Sequence, residues 1–207
     1  MNIDEKYIET LENLHLTLKS SYDNYINSDI DIKSFEYSVA LINRMKHYYK
    51  SQYEIKKFLE KRYITNGADY FTEQLLFFIK IFLQKNNSDL VAISEKQIKP
   101  KRGAIRPDIS IWKEDKVVAI IECKTQLGWN RHKWESDFNE REKKLHGEFK
   151  NAKAYLVVLT GENWDGFDEN NLLDEKYYCL LKNKWVTNYE NDTDISSPIE
   201  KLLAKLI

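Results

Sequence analysis

The chain has 207 residues, 31% of them charged and 13% aromatic, with a formal net charge of −1. That length suits one domain, or one domain with an appendage, and can carry a sizeable core. Near-neutrality excludes a uniformly basic nucleic-acid-coating protein but leaves room for a local basic cleft, and no apolar run approaches membrane-spanning length. The start, MNIDEKYIET, is acidic and lacks the apolar centre of a signal peptide. Two cysteines far apart, Cys123 and Cys179, point to a reducing compartment without a disulfide framework. The expected location is cytoplasmic, with no membrane partner.

Residues 4 to about 25 read as an amphipathic helix, with Ile8, Leu11, Leu14 and Leu18 at helical spacing and Asp4 as N-cap. Asn27, Ser28, Asp29 and Asp31 mark a break. A second helical region runs from about Ser34 to Arg62, bending near Lys50-Ser51, with Phe35, Val39, Leu41, Ile42, Met45, Tyr49, Tyr53 and Ile55 on its apolar side. Asn66-Gly67 is a turn signal. A third helix, about Asp69 to Lys85, is apolar almost all round, as buried helices are. Residues 1–65 are thus expected as a helical N-terminal region and 66–207 as the core domain.

Leu90 to Ile98 reads as a strand. KPKRGAIR follows it, and across residues 95–106 Lys96, Lys99, Lys101, Arg102 and Arg106 outweigh Glu95. Such a run is either a solvated loop or a phosphate-tracking surface. After Leu127-Gly128, a helix from about Asn130 to Lys150 has Trp134, Phe138, Leu145 and Phe149 as its buried side, with Arg131, His132 and Lys133 at its start. Lys153 to Thr160 is a buried strand. A loop holds Trp164, and a short turn of helix is expected at Asn171 to Leu173. Tyr177 to Lys182 is a further strand, and Ser197-Pro198 opens a C-terminal helix reaching Ile207.

The stretch Pro107 to Gln126, PDISIWKEDKVVAIIECKTQ, reads as two strands joined by a tight turn. Strand residues two apart face one side, so Glu122 and Lys124 point together and Cys123 points away. With a three-residue loop, Glu114-Asp115-Lys116, Lys113 pairs with Val117 and Asp108 falls opposite Glu122. A two-residue loop would put Asp108 opposite Ile121 and the two carboxylates on opposite faces. A shared site therefore predicts an odd-length loop. Paired carboxylates beside a lysine are tolerated when a cation sits between them, and hard oxygen ligands suit Mg²⁺ or Mn²⁺.

Pro107-Asp108 followed by Glu122-Cys123-Lys124 resembles the PD-(D/E)XK motif of the restriction-endonuclease-like nuclease superfamily. The element order from Asp69, α-β-β-β-α-β, is similar to that family's common core. The resemblance, over about residues 66 to 185, implies an α/β fold with a mixed sheet flanked by helices. It implies metal ligation by Asp108, Glu122 and the Cys123 backbone carbonyl, with Lys124 orienting the attacking water and stabilising the pentavalent phosphorus. It also implies that Glu73 completes the metal site, although a glutamate near a helix N-terminus is equally favoured by the helix dipole. The E-x-K-x-Q variant adds Gln126 to the catalytic group, against an ordinary polar strand-end residue. Lys99, Lys101, Arg102, Arg106, Arg131 and Lys133 would contact DNA.

The expected function is a Mg²⁺-dependent endonuclease, most like a type II restriction endonuclease cutting double-stranded DNA. The expected partners are a second copy of the chain and a cognate methyltransferase. Alternatives with the same fold are a repair, recombination, transposition or phage-defence nuclease acting on nicked, branched or modified DNA, and a non-catalytic nucleic-acid-binding module. The intact Asp108, Glu122 and Lys124 argue against the last. No CxxC pair, close-spaced histidine pair, Gly-rich phosphate loop or nucleophile elbow supports other chemistry.

Overall fold

The computed structural model of the protein describes residues 4–126, 133–162, 167, 170–190, 195 and 198–207. Its helices are α1 (Glu5–Asn27), α2 (Tyr37–Phe58), α3 (Ala68–Lys85), α4 (Trp134–Glu148) and α5 (Pro198–Ala204). Its strands are β1 (Leu90–Ser94), β2 (Ile109–Lys113), β3 (Lys116–Lys124), β4 (Lys153–Thr160) and β5 (Tyr177–Leu181). The strands lie in numerical order in one sheet. β1, β2 and β3 form an antiparallel meander, while β4 runs parallel to β3 and β5 parallel to β4. The fold is a mixed α/β sheet with helices on both faces.

The sequence explains the two layers. β3, β4 and β5 are almost unbroken apolar runs, as strands covered on both faces must be. Ile109, Ile111, Ala119, Ile121 and Cys123 face one cluster with the buried sides of α2, α3 and α5. Trp112, Val117, Ile120, Leu156 and Val158 face the other, with Phe138 and Leu145 of α4. Each large side chain so buried contributes about 1.5–3 kcal/mol. α3 ends at Asn86-Asn87, where Asn87 takes φ 50° and Ser88 N–H donates back to the Leu83 carbonyl at 3.0 Å.

The N-terminal helices do not form a unit of their own. Tyr37, Leu41, Ile42, Met45 and Tyr49 of α2 belong to the cluster that contains the sheet residues. Glu200 of α5 accepts from the Ser38 N–H (2.8 Å) and hydroxyl (2.5 Å), tying the start of α2 to the C-terminal helix. α2 runs unbroken through Lys50-Ser51 and ends at Phe58, short of the expected Arg62. In α1 the expected stripe splits. Leu18, Tyr22, Tyr25 and Ile26 pack on the core, whereas Ile8, Leu11 and Leu14 are exposed because no described element lies against them. Asp4 makes no side-chain cap bond.

The first strand stops at Ser94 rather than Ile98; beyond it the chain turns at Glu95, with φ 51°, so that Ile98 can join the α4 cluster. Asn171 to Leu173 forms a turn closed by an isolated bridge from Leu173 to Tyr177, not a turn of helix. Trp164 and Ser197 lie outside the described residues.

Candidate active site

The β2–β3 hairpin decides the geometry. Lys113 pairs with Lys116, so the turn has two residues, Glu114 and Asp115, and the expected three-residue loop is not formed. Trp112 pairs with Val117, but Ile111 pairs with Ala119. The skipped residue, Val118, is a bulge; it and Ala119 both face the α3 side. That extra residue restores the register lost by the short turn. Ile109 pairs with Ile121, and one step further Asp108 stands across from Glu122. The juxtaposition expected from an odd loop is reached by an even loop and a bulge.

Asp108, Glu122 and Lys124 share one face at the sheet end. Lys124 Nζ lies 3.7 Å from Asp108 Oδ2, and the same oxygen accepts the Cys123 N–H at 2.7 Å. Cys123 itself points to the opposite face, 5% exposed and hydrogen-bonded to Thr72, and burial pushes its thiol pKa well up. A strand residue projects its N–H and C=O towards the same neighbour. The Cys123 carbonyl is therefore directed to the Asp108 side, past the start of β2.

Glu122 is 3% exposed. Burial, and then the charge of Asp108, push its carboxyl from the ordinary 4.5 up to about 7, against the pull of Arg141 and Lys124. Its partner is Arg141 of α4, whose Nη1 donates to Glu122 Oε1 at 2.6 Å and approaches the Arg106 carbonyl at 3.5 Å. Arg141 is not among the residues expected from the motif. A signal for it lies in the spacing: Trp134, Phe138, Arg141 and Leu145 fall on one helical stripe, so the arginine sits among residues facing the sheet.

The other expected residues scatter. Glu73 lines a cleft of about 350 Å³ with Asp69, Glu95 and Asp108 on the α3 side, and its Oε1 accepts from Gln74 at 3.3 Å. It shares a cleft with Asp108. Gln126 borders a different cleft, with Tyr53, Lys56 and Arg62, because β3 ends at Lys124 and the alternation does not carry on to it; Thr125 between them is buried and hydrogen-bonded to Tyr49.

Lys99 and Lys101 stand away from the carboxylates. Lys99 lies 4.9 Å over the Phe149 ring and Lys101 pairs with Glu148. These residues are about 10 Å along α4 from Arg141, at 1.5 Å per residue. Anchoring of the loop by Ile98 and Ile105 in the α4 cluster carries them there. Arg102 is exposed on the turn at Gly103. Arg106 is exposed beside Pro107, next to the site, and Lys133 is exposed at the start of α4. Arg131 lies outside the described residues.

Among the described residues no group of three or more His, Cys, Asp or Glu side chains is placed to hold a metal ion. The donors that face one another are the Asp108 and Glu122 carboxylates and the Cys123 carbonyl. That set fits Mg²⁺, which takes one or two carboxylates and fills its octahedron with waters and substrate phosphate oxygens. No helix among the described residues is long and apolar enough to cross a membrane. No family model, curated protein or solved structure matches the chain.

Proposed function

We propose that the chain is a divalent-metal-dependent DNA endonuclease of the restriction-endonuclease-like superfamily, most like a type II restriction endonuclease. The observation that carries this reading is the gathering of Asp108, Glu122 and Lys124 on one face, achieved by a bulge that keeps the two carboxylates opposed. A plain hairpin with charged ends has no need of such a bulge, and opposed like charges cost stability. The α-β-β-β-α-β order and the mixed sheet support the same assignment.

Asp108 and Glu122, with the Cys123 carbonyl, would hold Mg²⁺. Bound there, the ion supplies a water of lowered pKa and neutralises charge on the leaving oxygen. Glu122 must shed its proton to serve, and Arg141 and Lys124 both favour the ionised form. Lys124 has no acceptor atom and cannot ligate a cation. Its ammonium group, held beside Asp108, orients the attacking water and stabilises the charge that builds on the phosphorane oxygens. Arg106, whose carbonyl Arg141 approaches at 3.5 Å, and Lys133, at the start of α4, are both exposed and would meet a phosphate backbone.

Incubation of plasmid and phage DNA with the protein, in Mg²⁺ and in EDTA, tests the reading. Metal-dependent conversion to discrete fragments is expected. A metal-dependent smear would indicate a nuclease without sequence specificity. Failure to cut unmodified, methylated and branched DNA would reject catalysis.

A further inference from the structure

A cleft of about 470 Å³ lies between the C-terminal part of α2, the segment leading into α3 and the end of β3. Its volume falls within the range of about 300–1,000 Å³ usual for small-ligand sites. Its floor is the buried Tyr49 packed edge-on against Trp185, ring centroids 4.8 Å apart. Its walls carry Tyr53 and Tyr63, which are 41% and 67% exposed. Both rings thus stand open to solvent at the mouth of the cleft.

The charge of the cleft is one-sided. Lys56 and Arg62 line it, and among the described residues no carboxylate does. The cleft at Asp108 is the reverse, lined by Asp69, Glu73, Glu95 and Asp108 and, among the described residues, by no cation. Arg62 lies 5.0 Å over the Tyr63 ring, so cation and aromatic face are presented together. Gln126 adds an amide with donors and an acceptor, and it follows Lys124 by two residues, within about 7 Å along an extended chain.

We propose that this cleft binds single-stranded DNA, seating an unpaired base against Tyr53 and Tyr63 and the flanking phosphates on Lys56 and Arg62. The substrate class rests on the nuclease reading above. Aromatic faces beside cations that track a backbone are the chemistry of single-strand binding, because every base offers a π-face. A paired base has both faces stacked and cannot enter a pocket of this size, so the base must have left the duplex. Gln126, joined to Lys124 through Thr125, places the seated nucleotide beside the scissile phosphate.

Fluorescence anisotropy of a dye-labelled single-stranded oligo(dT), in EDTA and over a range of salt, tests this. Wild type is expected to bind, and the Tyr53→Ala/Tyr63→Ala variant to bind at least about tenfold more weakly. The Tyr53→Phe/Tyr63→Phe variant keeps the π-faces and is expected to bind as wild type does. Lys56→Ala/Arg62→Ala is expected to flatten the salt dependence by about 0.7 in log–log slope for each phosphate that is no longer neutralised. Equal affinity of the alanine pair and wild type for oligo(dT), or no binding of oligo(dT) by wild type, overturns the proposal. Because EDTA removes cleavage, the two readings separate. Tyrosine-dependent binding by a protein that never cuts DNA sinks the nuclease and supports the cleft. Metal-dependent cutting alongside unaltered binding by the alanine pair sinks the cleft alone.

Discussion

Arg141 of α4 donates to Glu122 Oε1 at 2.6 Å, the residue across which Asp108 stands. The guanidinium is 43% exposed and the carboxyl only 4%, so the solvated arginine stabilises charge on a group that water hardly reaches. Glu122 is caught between this partner and the charge of Asp108. Truncation to Arg141→Ala leaves the carboxylate buried against Asp108. The expected loss is about 1–3 kcal/mol at pH 8, the usual result of stripping a charged hydrogen-bond partner from a buried group. Urea unfolding checks it, and the loss should shrink at pH 5, where Glu122 is protonated.

Glu122 also sets a pH dependence. Its pKa stands near 7 in the fold, above the ordinary 4.5. Between those values the folded chain holds a proton that the unfolded chain has released. Stability from this group is therefore greatest below about pH 4.5 and is lost as pH rises to about 7, by an amount on the order of 3 kcal/mol. Urea midpoints taken in EDTA from pH 5 to pH 8 should fall in wild type and fall less in Glu122→Gln. Parallel curves would show that Glu122 does not titrate in this range.

Asp108 has a structural duty separable from any chemical one. Its Oδ2 takes the Cys123 N–H at 2.7 Å. Asp108→Asn keeps an oxygen acceptor and should fold with little loss. Asp108→Ala leaves that N–H without its acceptor and should cost about 1–3 kcal/mol. Both variants should lose cleavage, so the pair separates folding from catalysis.

Metal should read out as stability before any DNA is added. An ion that binds only the folded chain stabilises it by about 2.7 kcal/mol at a hundred times its Kd. At pH 8 Mg²⁺ should raise the Tm of wild type, and should not raise that of Asp108→Asn or Glu122→Gln. Equal shifts in all three would place the ion elsewhere.

Much of this architecture is legible in the chain. The run from Lys153 to Thr160 is the strand that its apolar pattern predicts, and the alternation from Glu122 to Lys124 turns Cys123 away from its neighbours but does not extend to Gln126, which lies past the strand end. The bulge is not legible, because Val117, Val118, Ala119, Ile120 and Ile121 are all apolar and no polar residue marks which one steps out of register. Arg141 hides for a related reason: Trp134, Phe138 and Leu145 mark an apolar stripe, and the charged residue on the same line does not stand out from the solvated charges around it. Lys99 and Lys101 sit away from the expected place because their loop is steered by buried Ile98 and half-buried Ile105, neighbours that no local pattern reveals. The exposed half of α1 shows that amphipathic spacing marks a face able to be buried, not one that is.

If Asp108, Glu122 and Lys124 act as one catalytic group, removal of the Lys124 ammonium must slow cleavage. Its side chain is half exposed, and its ion pair with Asp108 is a long 3.7 Å, so Lys124→Ala should leave the fold intact. Cleavage of plasmid DNA in Mg²⁺ by wild type and by this variant is the measurement. Wild type is expected to cut in a metal-dependent way and the variant at a rate lower by about 10²–10³, the usual effect of removing one group that stabilises transition-state charge. Equal rates for the two proteins would contradict that grouping.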